Sequence, residues 1–362
     1  MINASAIHDL VGLGWRSELA ASIHIHLDEI EVLEVIADNY FHASKKNRQS
    51  LAWLAKQIPM YLHGVGMGLA SSFNVDMERV DAMARLVNEV QPLAWSEHLS
   101  FVRANKIEIG HLAAPPRTHA VISNTARNVQ IASLTVGSTP HLENIATLVE
   151  PLGSEYDEGK WIARSIHACD APLMLDLHNL YANALNNGRD PLTELSSLPL
   201  HRVTVVHLSG GVMIEHSSGQ RKLLDDHLHD VPEEVFGLLT ALAQRTTNPL
   251  HVIIERDGAY PSFDVIREQL HLAREAMKRG REQPLPQSII ELRALSSVIS
   301  DDDLRVAQKL EYEMAKLYAG KQLLNDSPAS HMISDAAGME LAIRSYAHKR
   351  QSQKTKLKSE SI

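Results

Sequence analysis

Eight short apolar runs alternate with amphipathic segments along most of this chain. They occupy residues 11–15, 32–38, 60–65, 92–99, 140–145, 172–179, 202–210 and 250–257. The segments between them, such as residues 75–90, repeat apolar side chains at helical spacing, with Val80, Met83 and Val87 on one face. Alternating strands and helices predict a parallel sheet, and eight repeats predict a closed (β/α)₈ barrel.

The last six runs share a second feature, because each ends in acidic or imidazole side chains. In order along the chain, these residues are His63, Glu97 with His98, Glu143 with Asn144, Asp176 with His178 and Asn179, His207, and Glu255 with Asp257. The carboxyl ends of barrel strands meet at one mouth, so these side chains are expected to converge there. A single histidine at a strand end is more often structural. Burying six such groups without partners is costly, which favours one shared site.

A polar stretch follows the seventh run, LLDDHLHDVPEEV at residues 223–235. It is a poor strand, and taken alone it suggests a solvated loop that leads into a helix near Pro232. Beside the polar strand ends, however, Asp225 and His227 are interpreted as a pair of metal ligands carried on that loop. The neighbouring Asp226 and His229 are additional candidate ligands.

The composition of this set favours cations of intermediate hardness. Carboxylates and imidazoles without thiolates suit iron, manganese or zinc. A tetrahedral zinc takes about four ligands, and the set is larger than that. It comprises His63, His98, Glu143, Asp176, His207, Asp225, His227 and Glu255. Two or three metal ions are therefore expected, with Glu143, midway in the strand order, as a candidate bridge.

Seven stretches together resemble a known family. They read, in order, LHGVGMGLAS, SEHLSF, LENI, DLHNLYANALNNGRDP, HLSGG, DDHLHDVPEEVF and IERD. This series is similar to the multinuclear non-haem iron-dependent oxidative enzymes, the family of the methanobactin-maturation oxidase catalytic subunit and of relatives that modify cysteines in ribosomal peptides. The resemblance runs from about Val11 to Leu270, the whole predicted barrel.

The resemblance implies a xylose-isomerase-like TIM barrel that holds two or three irons, as mixed Fe(II)/Fe(III), with dioxygen as co-substrate. It also implies a precursor peptide as substrate, modified at a side chain that is usually cysteine, and a partner protein that recognises the peptide. By motif, His63, His98 and Glu143 would hold one iron, and Glu143, Asp176, His207 and Glu255 the next. Asp225 and His227 would hold a third, with a residue from 176–179 such as His178 or Asn179. Asp176, His207 and Glu143 are the residues expected to carry catalysis.

Two positions depart from the family pattern. His178 stands where members often have the first of two asparagines, and His229 with Asp230 replaces a small residue followed by proline. Both histidines are candidates for extra metal ligands or for substrate contacts. The alternative is that their side chains merely fill space at the rim of the barrel mouth.

Other polar residues at the mouth are assigned to a supporting layer. Glu97, Asn144 and Asp257 are candidates for orienting the imidazoles, with strand-end capping or ion pairing as the alternative. Arg16 and Asn39, which follow the first two strands, are candidates for contacts with the peptide.

The chain divides into three predicted parts. Residues 1–285 form the barrel, 286–346 a helical C-terminal extension, and 347–362 a polar, basic tail that is expected to be disordered. Asp301–Asp303 is the expected start of a helix within the extension.

Charge and hydropathy exclude some classes of function. The formal net charge of −9 argues against a general binder of nucleic acid or anionic membranes. No apolar run reaches the roughly 18 residues of a membrane span, and the N-terminus does not resemble a signal peptide. A cytoplasmic enzyme is expected. The competing interpretations are a divalent-metal hydrolase or isomerase on the same type of barrel, and a non-catalytic metal-binding module.

Overall fold

Eight parallel strands close into a barrel in the computed structural model, which describes residues 8–286 apart from 149, 152 and 216–220, together with 299–319. The barrel strands are β1 Leu10–Gly14, β2 Leu33–Ile36, β3 Met60–Gly64, β4 Ala94–His98, β7 His141–Glu143, β8 Leu173–Asp176, β9 Val203–Leu208 and β12 His251–Ile254. Their order around the barrel is β1-β12-β9-β8-β7-β4-β3-β2. The predicted (β/α)₈ barrel is therefore confirmed.

Helices cover the outside of the barrel and bury the main apolar core against the strands. They are α1 Ala20–Ile25, α2 Lys45–Leu54, α3 Met77–Val90, α4 His119–Val136, α5 Glu158–Cys169, α6 Leu177–Asn186, α7 Pro191–Ser196, α8 Glu233–Arg245, α9 Phe263–Glu282 and α10 Asp301–Tyr318. None of the described helices combines the length and apolarity needed to cross a bilayer.

The interior of the barrel has an apolar floor below a polar layer. The floor is a separate buried cluster formed by Val32, Tyr61, Met174, Val205 and Ile253. Successive residues of a strand point to opposite faces, so each residue two positions later points into the barrel one level higher. Those residues are Glu34, His63, Asp176, His207 and Glu255. The strand register thus gathers the polar side chains in one layer below the mouth.

Two hairpins that the sequence patterns did not predict stand on the mouth. β5 Phe101–Ala104 pairs with β6 Ile107–Ala113, and β10 Gly211–Glu215 pairs with β11 Arg221–Asp225. The expectation of a loop throughout residues 223–235 was therefore wrong at its start. Asp225 ends a strand, because its partner Gly211 belongs to a segment directly after β9.

The sixth predicted run was too long. Strand β8 ends at Asp176, and α6 begins at the next residue. The Asp176 side chain caps this helix by accepting a 2.7 Å hydrogen bond from the backbone N–H of Asn179. His178 and Asn179 consequently lie in the first helical turn, still at the mouth.

Helix α10 belongs to the predicted C-terminal extension and packs on the first hairpin. Its start follows the prediction, since Ser300 and Asp303 form a capping box. Met314 and Ala315 pack in a buried cluster with Phe101 and Ile109. The rest of the extension and the basic tail, residues 287–298 and 320–362, lie outside the described residues.

A buried carboxylate under α10 gives the first prediction. Glu311 is fully buried and accepts hydrogen bonds from Ser71 Oγ at 2.8 Å and from the Ser72 N–H at 2.7 Å. Burial raises its pKa from 4.5 to about 7. The folded state therefore holds this proton longer than the unfolded state, and the stability contributed by Glu311 falls as pH rises from about 4.5 to 7.

We expect Glu311→Gln to gain stability relative to the wild type by on the order of 2 kcal/mol between pH 5 and pH 8. Urea denaturation of both proteins at the two pH values measures the difference in their free energies of unfolding. Groups that titrate equally in both proteins cancel from this difference. An unchanged difference across this range would contradict the raised pKa.

Candidate metal centre

Three buried side chains form a first cluster at the mouth. His63 and His98 each place Nε2 3.4 Å from Oε2 of Glu143. One ligand atom from each of the three residues lies within 4.8 Å of the others. Strands β3, β4 and β7 are neighbours in the barrel, so their ends bring these residues together.

Four buried side chains form a second cluster on the other side of Glu143: Glu143, Asp176, His207 and Glu255. His207 Nδ1 lies 3.1 Å from Oε1 of Glu143 and 3.1 Å from Oε2 of Glu255. Glu143 thus turns one oxygen to each cluster, which is the arrangement that a bridging carboxylate requires.

A third group stands beside the second cluster. Asp225 lies 2.8 Å from His178 Nδ1 and 2.9 Å from His227 Nε2. His227 Nδ1 is 3.4 Å from Glu255 Oε2, which links this group to the second cluster. Among the described residues, the compact sets of three or more potential ligands are the first two clusters only, so the third group is less closely gathered.

Unpartnered buried atoms test whether this centre fits cations. Buried polar atoms are nearly always hydrogen-bonded. Within the described residues, several atoms here have no hydrogen-bond partner: His98 Nδ1, Glu143 Oε2, Asp176 Oδ2, His178 Nε2, Asn179 Oδ1 and His227 Nδ1. Such a concentration of unpartnered buried nitrogen and oxygen atoms in one place fits bound metal ions.

Neighbouring charges act strongly on the buried groups of the clusters. Burial opposes a charge on His207, but Glu255, Glu34 and Glu143 outweigh it and hold the pKa of the imidazole well above its ordinary value. Burial together with Asp225 and Glu143 raises the pKa of Asp176 well above the usual range. The imidazole and this carboxyl group are therefore both held toward their protonated forms.

Protonation of the imidazoles leads to a second prediction, on how metal affinity depends on pH. Burial lowers the pKa of His98, but Glu143 and Glu97 outweigh this effect and raise it to about 9. A ligating imidazole must be neutral, so metal binding at pH 7 has to displace this proton. We expect metal affinity to rise about tenfold or more per pH unit between pH 6 and 8. The reason is that each proton released on binding makes the affinity change about tenfold for each pH unit.

Chelator competition with Zn(II) at three pH values measures this slope. Calorimetry in buffers with different ionisation enthalpies counts the protons released. Affinity that is independent of pH would show that the imidazoles are already neutral before metal binds.

Three of the predicted supporting residues contact residues of the clusters or segments next to them. Glu97 accepts hydrogen bonds from the backbone N–H groups of Met67 and His98. The Asn144 side chain exchanges two 2.9 Å hydrogen bonds with the backbone of Asp176. Asp257 lies 3.4 Å from His227 Nδ1 and binds the guanidinium of Arg16.

Two other predicted residues are not brought to the clusters. His229 is paired with Asp226 at 2.9 Å, and its side chain is 38% exposed. Asn39 lines a neighbouring groove of about 750 Å³ together with Trp15, Tyr40 and Arg16. Arg16 connects the two regions, because its guanidinium also lies 3.8 Å from Glu255.

Sequence reasoning missed Glu34 and Ser96, which contact cluster imidazoles from inside strands. Glu34 Oε2 lies 2.9 Å from His207 Nε2, and Ser96 Oγ lies 2.7 Å from His63 Nδ1. The available signal was the period of two, because Glu34 follows the apolar Val32 by two residues.

A cavity of about 340 Å³ opens onto the centre between the two hairpins. His98, Glu143 and Asp225 are among the residues that line it. The hairpins contribute His111 and Leu112 on one side and Leu223 and Leu224 on the other. A substrate side chain in this cavity would lie next to the clusters.

Residues 10–278 match the model of a family described as RiPP precursor modification enzyme MbnB/TglH/ChrH. The chain belongs to this family. The resemblance identified from the seven stretches is therefore confirmed. The RiPP modification enzymes act on ribosomally made precursor peptides, as their description states. Helix α10 lies beyond the matched residues.

Two relatives of this RiPP-modification family member each match about three quarters of the chain. A UPF0276 protein from Acaryochloris marina is 30% identical over 283 residues, which are 78% of this chain and 100% of that protein. A UPF0276 protein from Streptomyces avermitilis is 31% identical over 277 residues, 74% of this chain but only 55% of that longer protein.

The solved structures support the fold of this family member. A xylose isomerase-like TIM barrel/4-hydroxyphenylpyruvate dioxygenase fusion protein superposes with a TM-score of 0.52 at 13% identity, over 78% of this chain and 46% of the fusion protein. This likeness concerns the fold alone and agrees with the predicted xylose-isomerase-like barrel.

Proposed function

We propose that this protein uses two or three irons and dioxygen to oxidise a side chain, cysteine by preference, in a ribosomally made precursor peptide. The observation that carries the proposal is the position of Glu143, which faces a His-His cluster with one oxygen and an Asp-His-Glu cluster with the other. Membership of the precursor-modification family supports a peptide as substrate.

The donor set supports iron. It consists of imidazoles and carboxylates, it lacks thiolates, and it is compatible with iron, manganese or zinc. Iron and manganese supply redox chemistry, whereas zinc does not, and dioxygen would accept the electrons that the substrate side chain loses. Of these two metals, iron is favoured by the resemblance in sequence to iron-dependent oxidative enzymes.

The roles of the residues follow from their places. His63 and His98 would hold one ion with Glu143, and the second cluster would hold another. Asp225 and His227 would hold a third, with His178 or Asn179 close by. In this proposal Asp176, His207 and Glu143 are the ligands that carry catalysis, and Glu143 is the one of the three that lines the cavity.

The hairpins would orient the peptide. Leu112 and Leu224 come from different hairpins and both line the 340 Å³ cavity, so they can pack on the substrate chain while one side chain reaches Glu143. A separate protein that recognises the precursor is part of the proposal.

Oxygen uptake tests the proposed function. The protein is first loaded with Fe(II) in the absence of oxygen. It is then mixed, in buffer that contains oxygen, with a short cysteine-containing precursor encoded beside its gene. Oxygen consumption and the mass of the peptide are followed. We expect uptake and a mass change with this peptide, and neither with its Cys→Ser form or with Zn(II)-loaded protein. A peptide changed equally by the Zn(II) form would instead indicate a hydrolase or isomerase.

A further inference from the structure

We propose that Glu34 is a positioning residue that holds His207 with Nδ1 directed at the metal of the second cluster. The inference rests on the metal centre of the proposed function and adds a residue outside the predicted ligand set. Glu34 lies on β2, and no polar strand end marks it in the sequence.

The contact between the two side chains is buried and direct. Glu34 Oε2 lies 2.9 Å from His207 Nε2, and the side chains are 1% and 0% exposed. Strand β2 is separated from β9 by β1 and β12 in the barrel order, so this hydrogen bond crosses the barrel interior. Its length and burial make it a fixed constraint on the ring.

The other ring nitrogen faces the candidate ligands. His207 Nδ1 lies 3.1 Å from a carboxylate oxygen of Glu143 and 3.1 Å from one of Glu255. With Nε2–H donated to Glu34, the lone pair of a neutral His207 is on Nδ1 and points into the cluster. A rotated ring would place a proton where the metal belongs.

His63 shows the same division of its nitrogens. Its Nε2 faces Glu143, while Nδ1 contacts Ser96 Oγ at 2.7 Å. Partners of this kind fix the tautomer of a ligating imidazole and typically change metal affinity about 10–100-fold when removed. Glu34 is the stronger partner of the two, because a carboxylate also raises the basicity of the ligating nitrogen.

Co(II) binding tests the assignment without catalysis. Glu34→Leu removes the acceptor, and Glu34→Gln keeps an oxygen that can accept the same hydrogen bond. We expect Glu34→Leu to weaken Co(II) binding at one site about 10–100-fold and to alter its visible absorption. Glu34→Gln, which keeps the hydrogen bond but loses the charge, should lose less affinity than Glu34→Leu and keep a spectrum similar to that of the wild type.

Glu311→Leu is the matched control, because it removes an equally buried carboxylate that is bonded to Ser71 and Ser72 and belongs to neither cluster. It should bind Co(II) as the wild type does, even if its stability falls. Wild-type affinity and spectrum in Glu34→Leu would overturn the proposal, and so would equal weakening in Glu311→Leu.

A measurement on the wild type covers the case in which Glu34→Leu does not fold. With Zn(II) bound and histidines labelled with ¹⁵N, the His207 ring should show a protonated Nε2 and a metal-bound Nδ1. The reverse assignment overturns the proposal. Neither measurement needs oxygen or peptide, so failure of the proposed oxidation leaves this test intact and is recognised separately.

Discussion

Glu143→Ala is expected to release the metal ions of both clusters and to lower peptide-dependent oxygen uptake about 10³-fold or more. Glu143 is the residue common to the two sets of potential ligands, and its two oxygens face His98 and His207 respectively. Loss of a single group that stabilises charge in an active site already costs about 10²–10³-fold. Here one substitution removes a ligand from two ions.

Elemental analysis and oxygen uptake of the same preparation measure both effects of Glu143→Ala. Glu158→Gln serves as the control, since Glu158 is a partly buried carboxyl group paired with Arg117 and Asn183 outside the clusters. It should keep the metal content and activity of the wild type. Full metal content in Glu143→Ala would mean that Glu143 does not bridge.

His227→Asn is expected to remove one ion, that of the third group, and to lower activity about 10²-fold or more, comparable to the loss of one active-site electrostatic group. Asparagine is the appropriate replacement, because His227 has φ 52°, a backbone region that asparagine tolerates and alanine does not favour. The first two clusters do not include His227 and should retain their ions.

His229→Asn is the matched control for this prediction. His229 stands two residues away but pairs with Asp226 and is partly exposed. We expect its metal content to be unchanged and its activity to stay within about twofold, as for most surface substitutions. Mössbauer spectra of ⁵⁷Fe-loaded proteins count the distinct iron sites. Equal effects of the two substitutions would exclude a specific role for His227.

Periodicity made the barrel predictable from the sequence. Each strand is short and apolar, and each helix has one apolar face, so the order of elements follows from local patterns. The polar strand ends were predictable for the same reason, since parallel strands deliver their carboxyl ends to one side. His63, Glu143 and His207 meet at the mouth as this rule requires.

The ends of the apolar runs do not mark Glu34. The second run extends to residue 38 in the sequence, which places its polar end at the rim near Asn39. The strand ends at Ile36, and its inward polar residue is Glu34, two positions above the apolar floor. A polar residue inside a strand becomes visible only when the strand register across the barrel is known.

The two hairpins were unpredictable for a different reason. They are insertions after β4 and β9 whose pairing depends on contacts with α10 and α6. The polar segment at Asp225 reads as a loop, and only pairing with Gly211 makes it a strand. The third group, which is less closely gathered than the two clusters, also depends on the β10–β11 hairpin. Strand β11 places Asp225 beside His178.

Anomalous diffraction from crystals of iron-loaded protein tests most directly whether several iron ions bind around Glu143. Data collected on both sides of the iron absorption edge should show at least two iron peaks, one beside His63 and His98 and one beside Asp176, His207 and Glu255. A single peak, peaks away from Glu143, or a centre that holds only zinc after iron loading would contradict this arrangement.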